Sequence, residues 1–365
     1  ASLAALDTLS ASGVRSTLDR LSGEPYTGLA TTALASGDLF TGLIRRQSLA
    51  ASSDGPSQGQ SASGTGNRVQ LASLASDWGY DPVPRIDKPW GMWVSGYGQT
   101  GGISSDGNAH RLNETISGGV VGVDYKVNPQ LRIGMAFGAG NTSFSLNNDG
   151  GRGSVDQTQA ALYADYDWGA AYLAGQLGVA YGDGRVRRDV SLPGLPAVAT
   201  GHATDTQALS SVEAGYRLAM PGHVTLTPFA GLSFDTVRQN GLTESGAGAL
   251  ALTVKGGTTN SAKSQLGTRL DGTVPVAGTA LATDLSIGWA REYASGARTA
   301  TVAFSADPAA SFQVDGARSK RDSAVLGAGL ALPLSAETSV YLRYDGSLDG
   351  SSSSHALSGG FRVTW

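Results

Sequence analysis

Apolar and polar residues exchange at every position along residues 89–365, in segments of about ten, the length of a strand that crosses an outer membrane. A period of two predicts β-strands whose two faces meet different surroundings. Residues 121–125 (VGVDY) and 131–137 (LRIGMAF) show the pattern clearly, with the large apolar residues at odd positions. Further copies lie at 162–168, 212–218, 266–271 and 340–345.

One face of each predicted strand collects Leu, Val, Tyr and Trp, while the other collects glycine, serine and charges of both signs. A soluble sandwich buries its apolar face, and its opposite face does not require many glycines together with charges of both signs. A membrane barrel needs an apolar outer face and a polar lumen. The charged residues predicted to face the lumen are Asp124, Arg132, Asp165, Asp167, Glu213, Arg217, Arg269, Asp271, Asp284 and Arg343.

The links between strands alternate in predicted length. Short turns are expected at 127–130, 167–169, 220–222, 275–278 and 335–338. Long loops are expected at 102–112, 147–153, 188–201, 238–258, 295–318 and 349–354. Short turns at one end and long loops at the other are the periplasmic and extracellular ends of an outer-membrane barrel. We therefore predict an all-β, antiparallel transmembrane barrel of about twelve strands, with both of its chain ends at the periplasmic side.

Residues 1–50 have a different, helical texture. Leucine and valine recur at spacings of three to five residues up to Leu21, which predicts a first helix. A second helix is expected to begin near Pro25, a residue tolerated at a first helical position, and to run to about Gln47. Arg45 and Arg46 are predicted at its C-terminal end, where cations suit the helix dipole. Its other marker residues are Leu29, Ala33, Phe40 and Ile44.

Residues 51–88 open with a stretch rich in Ser, Gly, Gln and Pro, which cannot bury enough apolar surface to offset the entropy of ordering. We interpret them as a flexible linker. The predicted organisation is a helical segment at 1–50, this linker, and a barrel at 89–365.

Composition narrows the functional classes. The chain holds 26 Lys and Arg against 30 Asp and Glu, so no basic field favours nucleic acid. It has no cysteine, which excludes disulfides and thiolate metal sites. No apolar run is long enough for a membrane-spanning helix. Because the chain starts at Ala1 without a signal peptide, we interpret it as a processed product or a fragment.

Several stretches resemble the translocator of classical, type V autotransporters. Residues 18–24 (LDRLSGE), followed by Phe40, resemble the junction before the barrel. Residues 90–98 (WGMWVSGYG) with 106–109, and residues 243–250 (TESGAGAL), resemble segments of the barrel itself. The chain's end, FRVTW, is similar to the signal by which outer-membrane barrels are recognised for assembly, although most relatives end on Phe. The predicted assembly signal is Leu357, Phe361, Val363 and Trp365.

The resemblance implies a translocator in the outer membrane of a Gram-negative bacterium that exports or anchors an N-terminal passenger at the cell surface. Its expected partners are outer-membrane lipid, the barrel assembly machinery and its own passenger, with no nucleic acid, and it is expected to be a monomer without cofactors. A helix is expected in the pore. Residues 26–47 are the first candidate, and residues 68–88 in the pore or a helical zone packed outside it are the alternatives.

Particular residues and patterns also raise other functions. A general diffusion porin and an adhesive barrel share the strand pattern. A barrel protease could use His202 with Asp205, although histidines near loops are commonly just solvated. The four histidines lack metal-ligand spacing. The GxGxxG match at 96–101 and the GxSxG match at 55–59 both lack the strand, turn and helix that those motifs require.

Overall fold

The architecture comes from a computed structural model of the chain. The structure describes residues 10–53, 88–147, 150–191, 197–222, 224–276, 279–294 and 298–365. The predicted linker falls almost wholly outside these residues, as does the GxSxG match.

Twelve strands form a closed antiparallel barrel, as predicted. Each pairs with its neighbour in the chain, and the last strand pairs with the first from Gly91 opposite Thr364 to Ile103 opposite Ser352. Trp90 and Trp365 complete this seam by exchanging backbone hydrogen bonds of 3.1 and 3.0 Å. The barrel strands are β1 (Trp90–Ile103), β2 (Leu112–Lys126), β3 (Leu131–Leu146), β4 (Gly151–Trp168), β5 (Ala171–Asp189), β6 (Val198–Tyr216), β8 (Val224–Gln239), β11 (Gly257–Val276), β12 (Thr279–Glu292), β15 (Asp322–Pro333), β16 (Thr338–Leu348) and β17 (Ser352–Thr364). A short extension of β6, β7 (Leu218–Met220), pairs with β8.

The period of two sorts side chains as expected, with the apolar face outward. Leu162, Leu177 and Phe137 are 64%, 69% and 56% exposed, while the neighbours Tyr163, Gln176 and Ala136 on the same strands are buried on the inner face. Trp168 and Trp365 lie on the outer face, and Trp90 packs against Tyr125 in a tilted arrangement with ring centroids 4.7 Å apart. This continuous apolar exterior is a surface for lipid.

Four of the predicted short turns lie between consecutive strands within a residue or two of the expected positions, and they define the short-turn end of the barrel. The turn predicted at 275–278 includes residues 277–278, which lie outside the described residues. The opposite, long-loop end departs from the prediction at two places. Only residues 147–150 separate β3 from β4, and only residues 349–351 separate β16 from β17. The expected loops at 147–153 and 349–354 are therefore tight connections, because small and hydroxylated residues there continue the strands that the sequence pattern had ended.

Two of the longer loops, for which the sequence pattern predicts no strands, build a cap over the long-loop end. Their strands are β9 (Leu242–Thr243), β10 (Leu252–Val254), β13 (Thr299–Phe304) and β14 (Ser311–Asp315), with a short 3₁₀ turn at Gly248–Leu250. They pair in the order β14-β13-β10-β9. Leu252 and Val302 are fully buried beneath this sheet. The cap thus gives the long-loop end an apolar underside.

Two helices precede the barrel strands, α1 (Ala11–Leu21) and α2 (Pro25–Ser53). Ser10 caps α1 by accepting from the backbone N–H of Gly13. Gly23, at the bend between the helices, has φ +81°, and a Cβ there would lie 2.7 Å from Leu252 of the cap. The second helix is longer than the expected 26–47 and takes in the first residues assigned to the linker. Within the described residues no helix is both long and apolar enough to cross a bilayer.

Candidate functional site

The lumen of the barrel is occupied by α2. The helix packs along the inner wall formed by β2 to β6 and β8. Its predicted apolar residues meet that wall: Leu29 lies with Val155 and Val186, and Phe40 and Ile44, both fully buried, lie with Trp93. Ala33, Leu34 and Val237 of β8 form a further contact. These residues of α2 therefore lie together against the inner wall.

The two ends of α2 have different surroundings, which fixes its direction. Near its start, Tyr26 contacts Leu252 of the cap and donates a hydrogen bond of 2.7 Å to Glu244. Near its end, Leu49 packs against Tyr172 and Ala174, close to the short turn after Trp168. The helix therefore runs from the long-loop end toward the short-turn end.

Glu213 on β6 is the main ionic anchor of the helix. Its side chain is fully buried, and Arg45 of α2 and Arg269 of β11 each approach it at 3.4 Å. Tyr172 donates a hydrogen bond of 2.7 Å to the same carboxylate. One acidic wall residue thus joins the helix to neighbouring strands of the barrel wall, and each buried charge has a partner of opposite sign.

Arg46 makes a second ionic contact, with Asp345 of β16. Arg343 lies beside it, 3.1 Å from Asp345 and also paired with Asp284. Both arginines were expected at the end of the helix, but α2 continues to Ser53. That placement was wrong: they sit within the lumen because carboxylates of the wall neutralise them there, and the helix dipole is not what holds them.

The remaining predicted lumen residues also point inward. Asp124 is paired with Arg362 and lies 3.7 Å from Arg132, and Tyr163 donates to it at 3.1 Å. Arg217 is paired with Asp167. Asp165 accepts a hydrogen bond from Ser48 of α2, and Asp271 neighbours Arg269 on the lumen face of β11. The period-two pattern places these charges on one face of the sheet, and the pattern carries no signal for their partners.

Several contacts of the helix with loops and wall were missed from the sequence. Arg188 is almost completely buried. Its guanidinium donates hydrogen bonds of 2.7 Å to both carboxylate oxygens of Glu244 and a further hydrogen bond to the backbone carbonyl of Arg20. Glu24 accepts hydrogen bonds from the backbone and ring of His110. Asp38 of α2 is paired with Lys263. The stretch 243–250 carried a signal for Glu244, because it contains one acidic residue among small ones.

The loop that carries His110 has its own internal support. Asp106 accepts hydrogen bonds from the backbone N–H groups of Ala109, at 2.9 Å, and Asn108, at 3.0 Å. These bonds, that of Ala109 foremost, lower the pKa of the Asp106 carboxyl below its usual value. The loop is thereby held as a turn at the long-loop end.

The predicted assembly signal lies on the outer face of β17. Leu357, Phe361 and Trp365 are 54%, 43% and 49% exposed, and Val363 is half-buried between them. All four alternate with inward residues such as Arg362. The structure thus offers a continuous apolar strip that ends at the chain terminus.

The enzyme alternatives find no matching geometry. His202 points outward and binds Asp183 at 2.8 Å, whereas Asp205 is buried on the lumen side. Residues three apart on one strand face opposite ways, so these two cannot form a dyad. Residues 96–101 lie within β1. In the described ranges no three potential ligands cluster around a possible metal site.

Comparison with known proteins decides the family. A family model described as the autotransporter β-domain matches residues 92–345. The chain belongs to this family. It is an outer-membrane translocator domain of type V secretion, and the family implies an N-terminal passenger.

Sequence relatives extend far beyond this domain. The chain is 27% identical over 200 residues to outer membrane protein A of Rickettsia rickettsii, covering 52% of this chain and 9% of that protein. It is 28% identical over 281 residues to an extracellular serine protease of Serratia marcescens, covering 75% and 26%. The chain thus spans between about a tenth and a quarter of these relatives. Its place is the outer membrane of a Gram-negative bacterium.

Solved structures share the fold. The translocator domain of the autotransporter NalP from Neisseria meningitidis aligns with a TM-score of 0.63 at 16% identity, over 80% of this chain and 93% of that one. The β domain of the Bordetella autotransporter BrkA aligns with a TM-score of 0.55 at 19% identity, over 76% and 100%. The closed twelve-stranded barrel is common to them.

Proposed function

We propose that the structure is the closed, resting state of the translocator, in which α2 joins an N-terminal passenger to the barrel and fills the pore. The observation that carries this is the direction of the helix together with its seating. Its start lies under the cap at the long-loop end, and its end lies near the short turns. In this proposal an N-terminal passenger lies on the extracellular side, because α1 and the start of α2 are at the long-loop end.

The seating of α2 supports a plug better than an open diffusion pore. An α-helix with its side chains is about 10–12 Å across. Twelve strands about 4.8 Å apart and tilted by about 40° enclose a backbone diameter of roughly 24 Å, which wall side chains reduce to about the width of one helix. The translocator domain itself performs no catalytic step in this proposal, and any enzymatic activity belongs to the passenger.

Two further proposals, on recognition by the assembly machinery and on the oligomeric state, rest on the outer surface of the barrel. The strip of Leu357, Phe361, Val363 and Trp365 at the last strand is the part that the barrel assembly machinery would read. We propose that the barrel acts as a monomer, because its closed seam leaves no strand edge for pairing with a second copy.

An engineered crosslink tests the seating directly in the full chain. The protein has no native cysteine, so Ala33→Cys with Val237→Cys introduces one possible disulfide between helix and wall. We expect oxidation to give a crosslinked band with shifted gel migration in membranes. Each single-cysteine variant is the control and should show no shift. Absence of the crosslink in a folded, membrane-inserted double variant would remove the resting-state proposal.

Planar-bilayer conductance tests the plug. Full-length protein should conduct weakly, and a variant lacking residues 10–53 should form a larger, steady pore. The matched control is the crosslinked Ala33→Cys, Val237→Cys protein, which should stay closed and should return only to the weak conductance of the full-length protein when a reductant is added. Equal conductance of full-length and deleted chains would show that α2 does not close the pore.

A further inference from the structure

A group of arginines lies on the outer face of the barrel, beyond the apolar belt at the long-loop end. Arg152 of β4 stands directly opposite Arg187 of β5, and Arg185 lies two positions along β5 on the same face. All three side chains are exposed. Because side chains alternate along a strand, all three guanidiniums project away from the lumen.

The arrangement brings like charges together without ion pairs. Like charges directly opposite each other on neighbouring strands destabilise a sheet. Among the residues that the structure describes, none of the three arginines has a carboxylate within ion-pair distance. The acidic groups on this face are Asp156, which accepts a hydrogen bond from Asn141, Asp183, which is paired with His202, and the exposed Asp189 at the end of β5. The fold thus keeps three cations side by side, with carboxylates next to them on the same face but not ion-paired with them.

These arginines line a pocket of about 590 Å³. Its other walls include the hydroxyl side chains of Ser154, Thr200 and Ser245. Thr200 and Ser245 are also tied through their backbones at 2.9 Å, which holds the loop after β9 against the barrel. Guanidinium forks and hydroxyl donors together are the groups that bind phosphate oxygens.

The height of the pocket indicates which phosphate can reach it. On β5 the outward apolar residues end at Tyr181, which is 52% exposed. Arg185 follows four residues later, about 13 Å along the strand and roughly 10 Å along the membrane normal for a tilt of about 40°. Headgroups extend only some 5–8 Å beyond the hydrocarbon core, so a long arginine side chain reaches them by bending back.

We propose that Arg152, Arg185 and Arg187 form a binding site for the phosphate groups of an outer-leaflet glycolipid, lipopolysaccharide. The lipid's acyl chains lie on the apolar face below Tyr181, and its phosphates enter the pocket. The bound lipid neutralises the three guanidiniums and ties β4, β5 and the loop after β9 to the outer leaflet.

The test uses the purified full-length protein in detergent and compares its affinity for phosphorylated and dephosphorylated forms of the same lipopolysaccharide. The variant is Arg152→Gln with Arg185→Gln and Arg187→Gln. The matched control removes three exposed cations elsewhere at the long-loop end: Arg111→Gln, Lys255→Gln and Lys320→Gln. Heat-modifiable gel migration checks that each protein is folded. Single Arg185→Gln replaces the triple variant if the latter does not fold.

Wild-type protein should bind the phosphorylated lipid at least about tenfold more tightly than the triple variant, since each charged contact contributes measurably. The control should stay within about twofold of wild type. If the triple variant and the control lose the same affinity for the phosphorylated lipid, the attraction is due to overall charge and not to a specific site, and the proposal is overturned. Equal binding of the dephosphorylated lipid would also overturn it. Inorganic phosphate is the final arm: binding it as tightly as the lipid would assign the pocket to a free anion and overturn the lipid proposal.

Discussion

The fit of α2 can be tested by adding one methyl group at two glycines of the same helix. Gly28 faces the ring of Phe144, and a Cβ there would lie 2.6 Å from the ring. Gly42 faces open space, with nothing within 4 Å of its Cβ position. The two substitutions, Gly28→Ala and Gly42→Ala, are chemically identical and differ only in what the methyl meets.

The magnitude follows from that difference. Replacing a glycine within a helix by alanine favours the helix by about 0.5–1 kcal/mol, so Gly42→Ala should seat the helix more firmly. At Gly28 the same gain is opposed by overpacking, which costs about 1–3 kcal/mol. Phe144 has little room to yield, because it is buried and a Cβ at Gly153 would meet its other side at 2.5 Å. The seating equilibria of the two variants should differ by roughly five- to 150-fold.

Thiol labelling measures that equilibrium. Ala33→Cys places one reactive group at a position that is 1% exposed when the helix is seated. Its rate of reaction with a maleimide then reports the fraction of time that the helix is out. We expect labelling to be faster in the Gly28→Ala background and slower in the Gly42→Ala background than in the parent.

Equal labelling rates in the two backgrounds would refute the seating of α2 against Phe144. A compensating change strengthens the test. Phe144→Leu in the Gly28→Ala background removes the ring that the methyl meets and should bring labelling back toward the rate of the Phe144→Leu single variant. A rate that stays high would mean that the added methyl acts elsewhere.

Three further outcomes are expected. Trp365→Asp should lower outer-membrane levels, measured against total synthesis, whereas Trp365→Phe should keep them; equal levels would count against the assembly signal. Glu213→Ala should leave Arg45 and Arg269 without their carboxylate partner and weaken the seating of α2 by about 3 kcal/mol, measured by the same labelling assay. The control Glu337→Ala, at an exposed position, should change the labelling rate little. Folding lowers the pKa of the Asp106 carboxyl, so this carboxylate stabilises the turn above its ordinary pKa of about 4, and the stabilisation is lost as the pH falls through the lowered, folded-state pKa. The NMR shift of the Ala109 amide should follow this titration, and Asp106→Asn should abolish the pH dependence.

Much of the barrel was predictable because its rule is local. A period of two fixes which side of the sheet each residue occupies, so Asp124, Glu213 and Arg343 were placed on the lumen face without any knowledge of their partners. The turn signals fixed the strand number in the same way. The helix was also readable, since Leu29, Phe40 and Ile44 are spaced for one face.

What the sequence could not supply were contacts between distant segments. The cap pairs residues 252–254 with residues 302–304, and no local sequence pattern predicts that two loops some fifty residues apart will pair. Arg188 and Glu244 likewise meet only because both segments reach the start of α2. The end of the helix was misjudged because serine and alanine at 48–53 resemble linker composition, while neighbouring Leu49 is buried against Tyr172.

The seam between β1 and β17 has a consequence for the order of events during assembly. Until Trp90 and Trp365 are joined, the sheet is an open ribbon, and α2 can be laid against its inner wall from the side through the gap. Once the seam closes, the sheet is a ring in the topological sense, and a segment outside it can enter only end-on along the axis. The apolar contacts at both ends of α2 favour the first route. The wall then forms around the helix, and the pairing of β17 with β1 encloses a helix that already lies against the inner face.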